Sequence, residues 1–400
     1  MRRTTASFAT LGVVAALSLT ACGSNNSSSP SAGGSSTAAG IKAACSLSTP
    51  PTSGAQVPKA VDLGKASGKV GVILPDTTSS TRYTQYDAPL LTKALSDAGI
   101  TPDVQNAQGD KNKFASIAQT MINEGVKVLI IDSIDAASGA GVEQQADKAG
   151  VKVIDYDRVN LGGTAPYYVS FDNEDVGKLQ AQTMIDCLTA QGVTNPKIIM
   201  MDGGTDVDNN AVLFAKGAHE VLDPLVSAGK ANIEQEAVVK GWLVANAAPA
   251  FQQALQASGG NVDAVLAAND DIANAVIGVL KTNGLDGKVV VTGQDSGTEG
   301  LQNIVKGLQS MTVFKNVKLE ANAAAQLAIA LISGKDPASA GMTLQDFADP
   351  ESANHQIKAL LLPAQVITQA NVDDVVKAGA LTQAEICKGI TTQCAAIGLQ

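Results

Sequence analysis

The chain has 400 residues, 45% of them hydrophobic, which is enough apolar material for two ordinary cores but hardly for four. Its formal charge of −10 becomes −12 if Arg2 and Arg3 leave with a leader (26 Lys and Arg against 38 Asp and Glu), and no basic cluster remains, so nucleic acid is not an expected partner. The two histidines, His219 and His355, stand far apart and outside any Cys/His spacing that holds zinc, so neither a metal site nor a cofactor is expected.

Residues 1–21 read as a signal peptide. Arg2 and Arg3 make a positive start, and Phe8 to Leu19 form an apolar run too short to span a bilayer comfortably. The run ends in Leu19-Thr20-Ala21-Cys22, which resembles the lipobox of bacterial lipoproteins. That resemblance implies cleavage before Cys22, lipidation of Cys22, and a membrane anchor at the outer face of the cytoplasmic membrane, in the cell envelope or periplasm. An ordinary signal peptide with an incidental cysteine is the alternative. Residues 22–66 read as a flexible tether and lead-in. Gly23 to Gly40 is almost wholly Gly, Ser, Asn, Ala, Thr and Pro, too poor in apolar surface to fold. Its root-mean-square reach is on the order of 25 Å. Cys45, Cys187, Cys387 and Cys394 remain, an even number that outside the cell suggests two disulfides with three pairings open. Cys387 with Cys394 is the favoured pair, and buried free thiols are the other reading.

From Lys69 onward, short β-branched runs alternate with amphipathic stretches closed by glycine, the pattern of parallel sheets with crossover helices. Strands are expected at Lys69–Leu74, Asp103–Gln105, Lys127–Ile131 and Val151–Tyr156. Helices between them carry Leu90, Leu91 and Leu95, then Phe114, Ile117, Met121 and Ile122, at core spacing. Leu161 to Pro166 breaks the periodicity and reads as a crossing into a second lobe. The alternation then restarts with Tyr167–Phe171, Ile198–Met201, Glu236–Val239, Ala264–Ala267 and Val289–Thr292. Lys315 and Pro363, each following an apolar run, fit two further crossings. The expected fold is therefore α/β, two doubly wound parallel-sheet lobes joined by a three-segment hinge. The first lobe comprises 67–165 plus 316–360, and the second 166–315 plus 361–400.

In open α/β sheets, ligands sit beyond the carboxyl ends of strands. Asp157 and Arg158, Asp208 and Asn210, Asn269, and Asp295 each stand just past an expected strand, where one cleft would collect them. Each has a second reading. Asp157 with Arg158 fits a surface ion pair, Asp208 a helix cap, Trp242 an interlobe core residue and Lys315 a solvated hinge lysine. Asp270 reads as a cap.

Seven motifs fall in the order seen in the sugar-binding proteins of ABC importers: Tyr156-Asp157-Arg158, Val169 to Glu174, Val207 to Ala211, Gly241-Trp242-Leu243, Ala268-Asn269-Asp270, Gly293-Gln294-Asp295 and Met311 to Lys315. The resemblance covers about Lys69 to Val376 and implies the type I periplasmic-binding-protein fold. It also implies a monosaccharide, xylose or a close relative, held by Arg82, Tyr83, Asp157 and Arg158 from the first lobe. Asp208, Asn210, Trp242, Asn269, Asp295 and Lys315 would complete the site. The implied partner is an ABC permease, the protein itself being a monomer; a sugar-sensing receptor for chemotaxis or a two-component system is the alternative. Carboxylates that accept, cations that donate and amides that do both can satisfy every hydroxyl of a sugar. Tyr83 and Trp242 offer flat faces for the ring. No nucleophile elbow or phosphate loop occurs in the sequence. Asp157 with Asp295 could serve a glycosidase, but Arg158 and Lys315 are expected to keep both acids ionised, whereas a general acid needs a raised pKa. No enzyme is expected.

Overall fold

The computed structural model describes residues 42–45, 47, 50–52, 63–352 and 355–399. The expected signal peptide, the Cys22 lipidation site and the Gly/Ser tether lie outside the described residues.

Thirteen strands fall among the described residues. β1 (Lys69–Leu74), β2 (Thr101–Asn106), β3 (Val128–Ile131), β4 (Lys152–Tyr156) and β5 (Tyr167–Phe171) are mutually parallel. β6 (Lys197–Asp202), β7 (Asn232–Val238), β8 (Ala264–Ala267) and β9 (Val290–Val291) form a second parallel sheet in the order β7-β6-β8-β9. β10 (Thr312–Lys315) extends it through a parallel bridge between Gln294 and Val313. β11 (Gln345–Ala348) and β12 (Gln356–Leu362) return to the first sheet, whose order is β11-β12-β5-β4-β3-β1-β2 with β11 antiparallel at the edge. β13 (Ala364–Ile367) goes back to pair antiparallel with β10.

The chain therefore crosses between sheets three times: after Phe171, after Lys315 and at Pro363. The first crossing is not at Leu161–Pro166, as the sequence suggested, and β5 belongs to the first sheet, not the second. The Gly/Pro-rich segment is a turn inside the first lobe. Buried Glu143 accepts from the backbone N–H groups of Thr164 and Ala165, and Gly163 N–H closes onto Asn160. That fold-back delivers Tyr167 beside Ile154 of β4. Likewise Leu361 and Leu362, assigned above to the second lobe, complete β12 in the first.

Each sheet buries both faces, as parallel sheets with crossover helices must. In the first, Val70, Val72, Val128 and Ile130 pack under helices Ala88–Asp97 and Val317–Ile332, while Ile73, Leu129 and Ile131 face helices Lys111–Asn123 and Ala136–Ala149. In the second, Ile199, Met201 and Val265 face helices Val244–Ala257 and Asp270–Thr282; Ile198, Met200 and Leu266 face the pair Asn173–Ala190 and Asn209–Ser227. That pair meets backbone to backbone. A Cβ on Gly177 would lie 2.0 Å from the carbonyl oxygen of Phe214, and one on Gly217 2.0 Å from that of Glu174.

Both disulfides form within the described residues. Cys45–Cys187 fastens the lead-in to helix Asn173–Ala190, and Cys387–Cys394 closes the C-terminal tail. The lead-in is pinned further by Ala43 N–H on the Gly287 carbonyl and by a bridge from Thr52 to Gln365 in β13.

Candidate functional site

Two of the polar residues past the strand ends also cap the helix that follows. Asp208 accepts from Asn210 N–H as the N-cap of helix Asn209–Ser227, and Asn269 accepts from Ile272 N–H as the N-cap of helix Asp270–Thr282. A cap at Asp208 and a place in the cleft are thus compatible. Asp270, expected to be a cap, is the first residue inside its helix. Its carboxylate instead accepts from Gly297 N–H and Gln309, across a layer where Gly293 and Gly300 leave it room.

Arg82, Tyr83, Asp157, Arg158, Asp208, Asn210, Trp242, Asn269, Asp295 and Lys315 all line one cavity, together with Ser79, Ser80, Phe214 and Gln294. The atom-free space between these side chains is about 290 Å³, part of it open to solvent. Three of the six non-glycine residues with positive φ among the described residues are in this wall: Asp157 at 58°, Trp242 at 60° and Asp295 at 87°. Such backbone is uncommon outside glycine and marks positions that the surroundings hold in place.

Arg82 is the organiser of the first-lobe wall. It is 2% exposed, and four of its N–H groups are committed: two to Asp87 at 2.9 and 2.7 Å, one to Glu320 at 2.7 Å and one to Asp157 at 2.8 Å. Three acids around one guanidinium cannot all carry charge cheaply. Burial, only partly offset by Arg82 and reinforced by Asp157 and Asp87, pushes Glu320 up to about 8. For Asp157 burial also opposes ionisation, but Arg82, Lys315 and Arg158 outweigh it and hold the carboxyl at about 2.

The charge pairing differs from the one expected. Asp157 pairs with Arg82 and, at 3.6 Å, with Lys315, whereas Arg158 turns its Nε to Asp208 at 3.4 Å and Asp132 at 3.7 Å. Neither Asp157 nor Arg158 is a surface group; both are buried. Lys315 is 4% exposed rather than solvated, lies 3.3 Å from Asp295, and has its Nζ 5.6 and 5.7 Å from the ring centres of Phe171 and Phe214. Burial lowers the pKa of this ammonium, yet Asp295 and Asp157 raise it more, so it stays charged.

Trp242 donates from Nε1 to Asp208 at 3.0 Å and meets Phe214 edge to face. The glycine pair after β6 makes room for it: a Cβ on Gly203 would lie 2.1 Å from its Cη2, and one on Gly204 2.7 Å from its Cδ1. The Tyr83 ring sits between the guanidinium groups of Arg82 and Arg158, with centroid distances of 5.8 and 5.7 Å. Polar contacts close the gap between the lobes. Ser80 donates to Asp295, Thr81 N–H to Asp271, and Asn210 Nδ2 to the Asp157 carbonyl at 2.7 Å. Buried polar atoms without a hydrogen-bond partner remain on this wall: Arg158 Nε, Asp295 Oδ1 and Gln294 Oε1.

Ser79, Ser80, Phe214 and Gln294 were not anticipated as site residues. Gln294 sits inside a motif quoted above and is a polar group past a strand, so the same rule could have found it. Phe214 lies among the apolar residues of helix Asn209–Ser227, and no periodicity separates a core phenylalanine from one that faces a cleft. Among the described residues no group of three or more His, Cys, Asp or Glu is arranged to hold a metal ion.

Two α/β lobes, three crossings and a polar cavity floored by strand ends define a solute-binding protein of the cleft-closing kind, a binder rather than a catalyst. The chain belongs to the periplasmic binding protein family, whose domain model matches residues 70–336. It is 36% identical over 318 residues to the D-xylose-binding periplasmic protein of Escherichia coli strain K12, covering 80% of this chain and 92% of that one. It is 33% identical over 319 residues to the multiple sugar-binding periplasmic receptor ChvE of Rhizobium radiobacter, covering 76% and 87%. Among solved structures, the carbohydrate transporter solute-binding protein of Chloroflexus aurantiacus in complex with D-glucose superposes with a TM-score of 0.72 at 27% identity, covering 80% of this chain and 98% of that one. These type I folds have the same mixed α/β architecture.

Proposed function

We propose that the protein is an exported lipoprotein that captures a monosaccharide, D-xylose or a close relative, between its lobes and delivers it to an ABC permease. The observation that carries the reading is the convergence of three carboxylates, three cations, three amides and one indole on one cavity lined by buried side chains. Relatives named for D-xylose and for multiple sugars support the ligand class.

The chemistry follows from the groups. Asp157, Asp208 and Asp295 accept from sugar hydroxyls; Arg158 and Lys315 donate to sugar oxygens; Asn210 and Asn269 do both. Trp242 takes the C–H face of the ring. Arg82 keeps one N–H beyond its four bonds to acids, so its main part is to fix Asp157, an acceptor 3.6 Å from the hinge lysine. Closure removes water, which strengthens every such bond. Replacing Asn269 or Asp295 by Ala then leaves buried hydroxyls unpaired. The anchor rests on Arg2, Arg3, the apolar run and Cys22.

The test is titration calorimetry of the sugar-stripped protein against pentoses and hexoses. One-to-one binding of D-xylose or a near relative without turnover is the expected result. Product formation, or no binding across the panel, would overturn the reading. Mass spectrometry of the envelope-extracted protein tests the anchor: an acylated Cys22 at the N-terminus is expected, and a mature chain starting elsewhere contradicts it.

A further inference from the structure

Arg158 stands between two acids from different lobes. Its Nη1 donates to the Ser133 carbonyl at 3.1 Å and its Nη2 to Ser79 Oγ at 3.4 Å, so the guanidinium is fixed to the first lobe. Nε points between Asp208 of the second lobe at 3.4 Å and Asp132 of the first at 3.7 Å, and makes no hydrogen bond to either. Asp132, directly after β3, is 0% exposed, and neither of its carboxylate oxygens has a hydrogen-bond partner. Asp208, by contrast, is satisfied by Asn210 N–H and by Trp242 Nε1. When the second lobe swings away it takes Asp208 with it, and the acid that still faces Nε is Asp132.

We propose that Asp132 is the resting partner of Arg158: the pair holds in the open protein, and closure draws Nε towards Asp208, leaving Asp132 buried and under-paired. Asp132 thereby sets how readily the cleft shuts. The inference rests on the ligand reading above and concerns a residue outside the cavity wall.

The groups facing Asp132 are Asp157 and Arg158 beyond β4, together with Arg82, Tyr83 and Asp87 from the segment before helix Ala88–Asp97. In the closed state burial lifts the pKa of Asp132 well above its ordinary value, Asp157 adding to the rise and Arg158 and Arg82 relieving it only in part. A carboxyl that is ionised beside Arg158 when open and neutral when closed takes up a proton on closure. The sign follows: affinity rises as pH falls through the closed-state pKa and levels off below the open-state one, by up to about tenfold per pH unit.

The experiment is calorimetry of the full chain and Asp132→Asn with D-xylose between pH 5 and 8, in two buffers of different ionisation enthalpy. The variant keeps the shape and removes the charge that competes for Arg158. Its affinity at pH 7 is expected to tighten by roughly threefold to tenfold as the open state loses its partner, and its proton uptake to fall below that of the wild type. Weaker binding with the wild-type proton uptake would overturn the proposal. Should the variant not fold, the wild type alone still decides: proton uptake on binding supports the proposal, and none at any pH in the range overturns it. If the wild type binds no sugar in the panel, the ligand reading fails; if it binds and Asp132→Asn changes neither affinity nor uptake, this inference alone fails.

Discussion

Gly203→Ala is the sharpest perturbation the site offers, because it adds one methyl group outside the sugar's reach and acts only through Trp242. The new Cβ would lie 2.1, 2.2 and 2.5 Å from Cη2, Cζ2 and Cζ3 of the indole. Carbon atoms prefer about 3.5 to 4.0 Å, so the ring must retreat by roughly 1.5 Å. It has little freedom to do so: the backbone is fixed at φ 60°, Nε1 is bonded to Asp208, and the N–H is bonded to the Val239 carbonyl. Gly203 itself is not at positive φ, so alanine brings no backbone strain and the effect is steric. Overpacking of this kind costs about 1 to 3 kcal/mol, and if it falls on the closed state it weakens sugar binding by roughly 5- to 150-fold. The assay is a D-xylose titration beside a thermal melt, with Gly278→Ala as control. Gly278 is an exposed helix position with nothing within 4 Å of an added Cβ, so that change should leave binding alone and add up to about 1 kcal/mol of stability. A Gly203→Ala protein that binds within twofold of the wild type would refute the role given to Trp242.

Other outcomes are expected. Asn269→Ala or Asp295→Ala should each weaken sugar binding by about 1 to 3 kcal/mol or more, since the hydroxyl left in the closed cavity loses its partner; unchanged calorimetric affinity in both would misplace the cleft. Glu320, held at about 8 in the fold against an ordinary value near 4.5, contributes stability that is full below pH 4.5 and is lost as pH rises through 8. Glu320→Gln should therefore flatten the decline in melting temperature between pH 5 and 8, and a wild-type slope in the variant would argue against a neutral Glu320. Asp157, held at about 2, works the other way: its stabilisation, ~2 to 3 kcal/mol, is present above about pH 4 and lost as pH falls through 2. Asp157→Asn should remove that acid-side loss. Opening Cys45–Cys187, which spans 142 residues, should cost about 5 kcal/mol in the chain-entropy model, against about 2.5 kcal/mol for Cys387–Cys394, which spans 7. Denaturant melts of the two Cys→Ser pairs read that order.

The strands and the site were legible in the sequence for the same reason: β-branched runs buried on both faces must end in something polar, and those ends meet where two sheets face each other. Asp157, Asn269 and Asp295 follow from that rule alone. What the sequence did not disclose is pairing. Leu161 to Pro166 has the composition of a crossing, and only the buried carboxylate of Glu143, which gathers two backbone N–H groups of the turn, reveals that the chain folds back to its own sheet. Equally, the choice of Arg82 rather than Arg158 as the partner of Asp157 depends on the helical turn at Tyr83–Asp87, where Asp87 and Glu320 converge on one guanidinium. Glu320 lies far along the chain, in a helix that reads as core, so no local pattern announces it. Asp132 stands just past β3, where the same rule could have found it; its lack of any hydrogen-bond partner is a property of the packed molecule alone.

The most direct measurement of the whole account is a crystal structure of the protein grown with D-xylose. The account requires a sugar ring between the lobes, its apolar face on Trp242 and its hydroxyls within hydrogen-bond distance of Asp157, Asn269 and Asp295. Density for the sugar outside this cavity, or an interlobe gap that stays shut around protein side chains at saturating xylose, would contradict it.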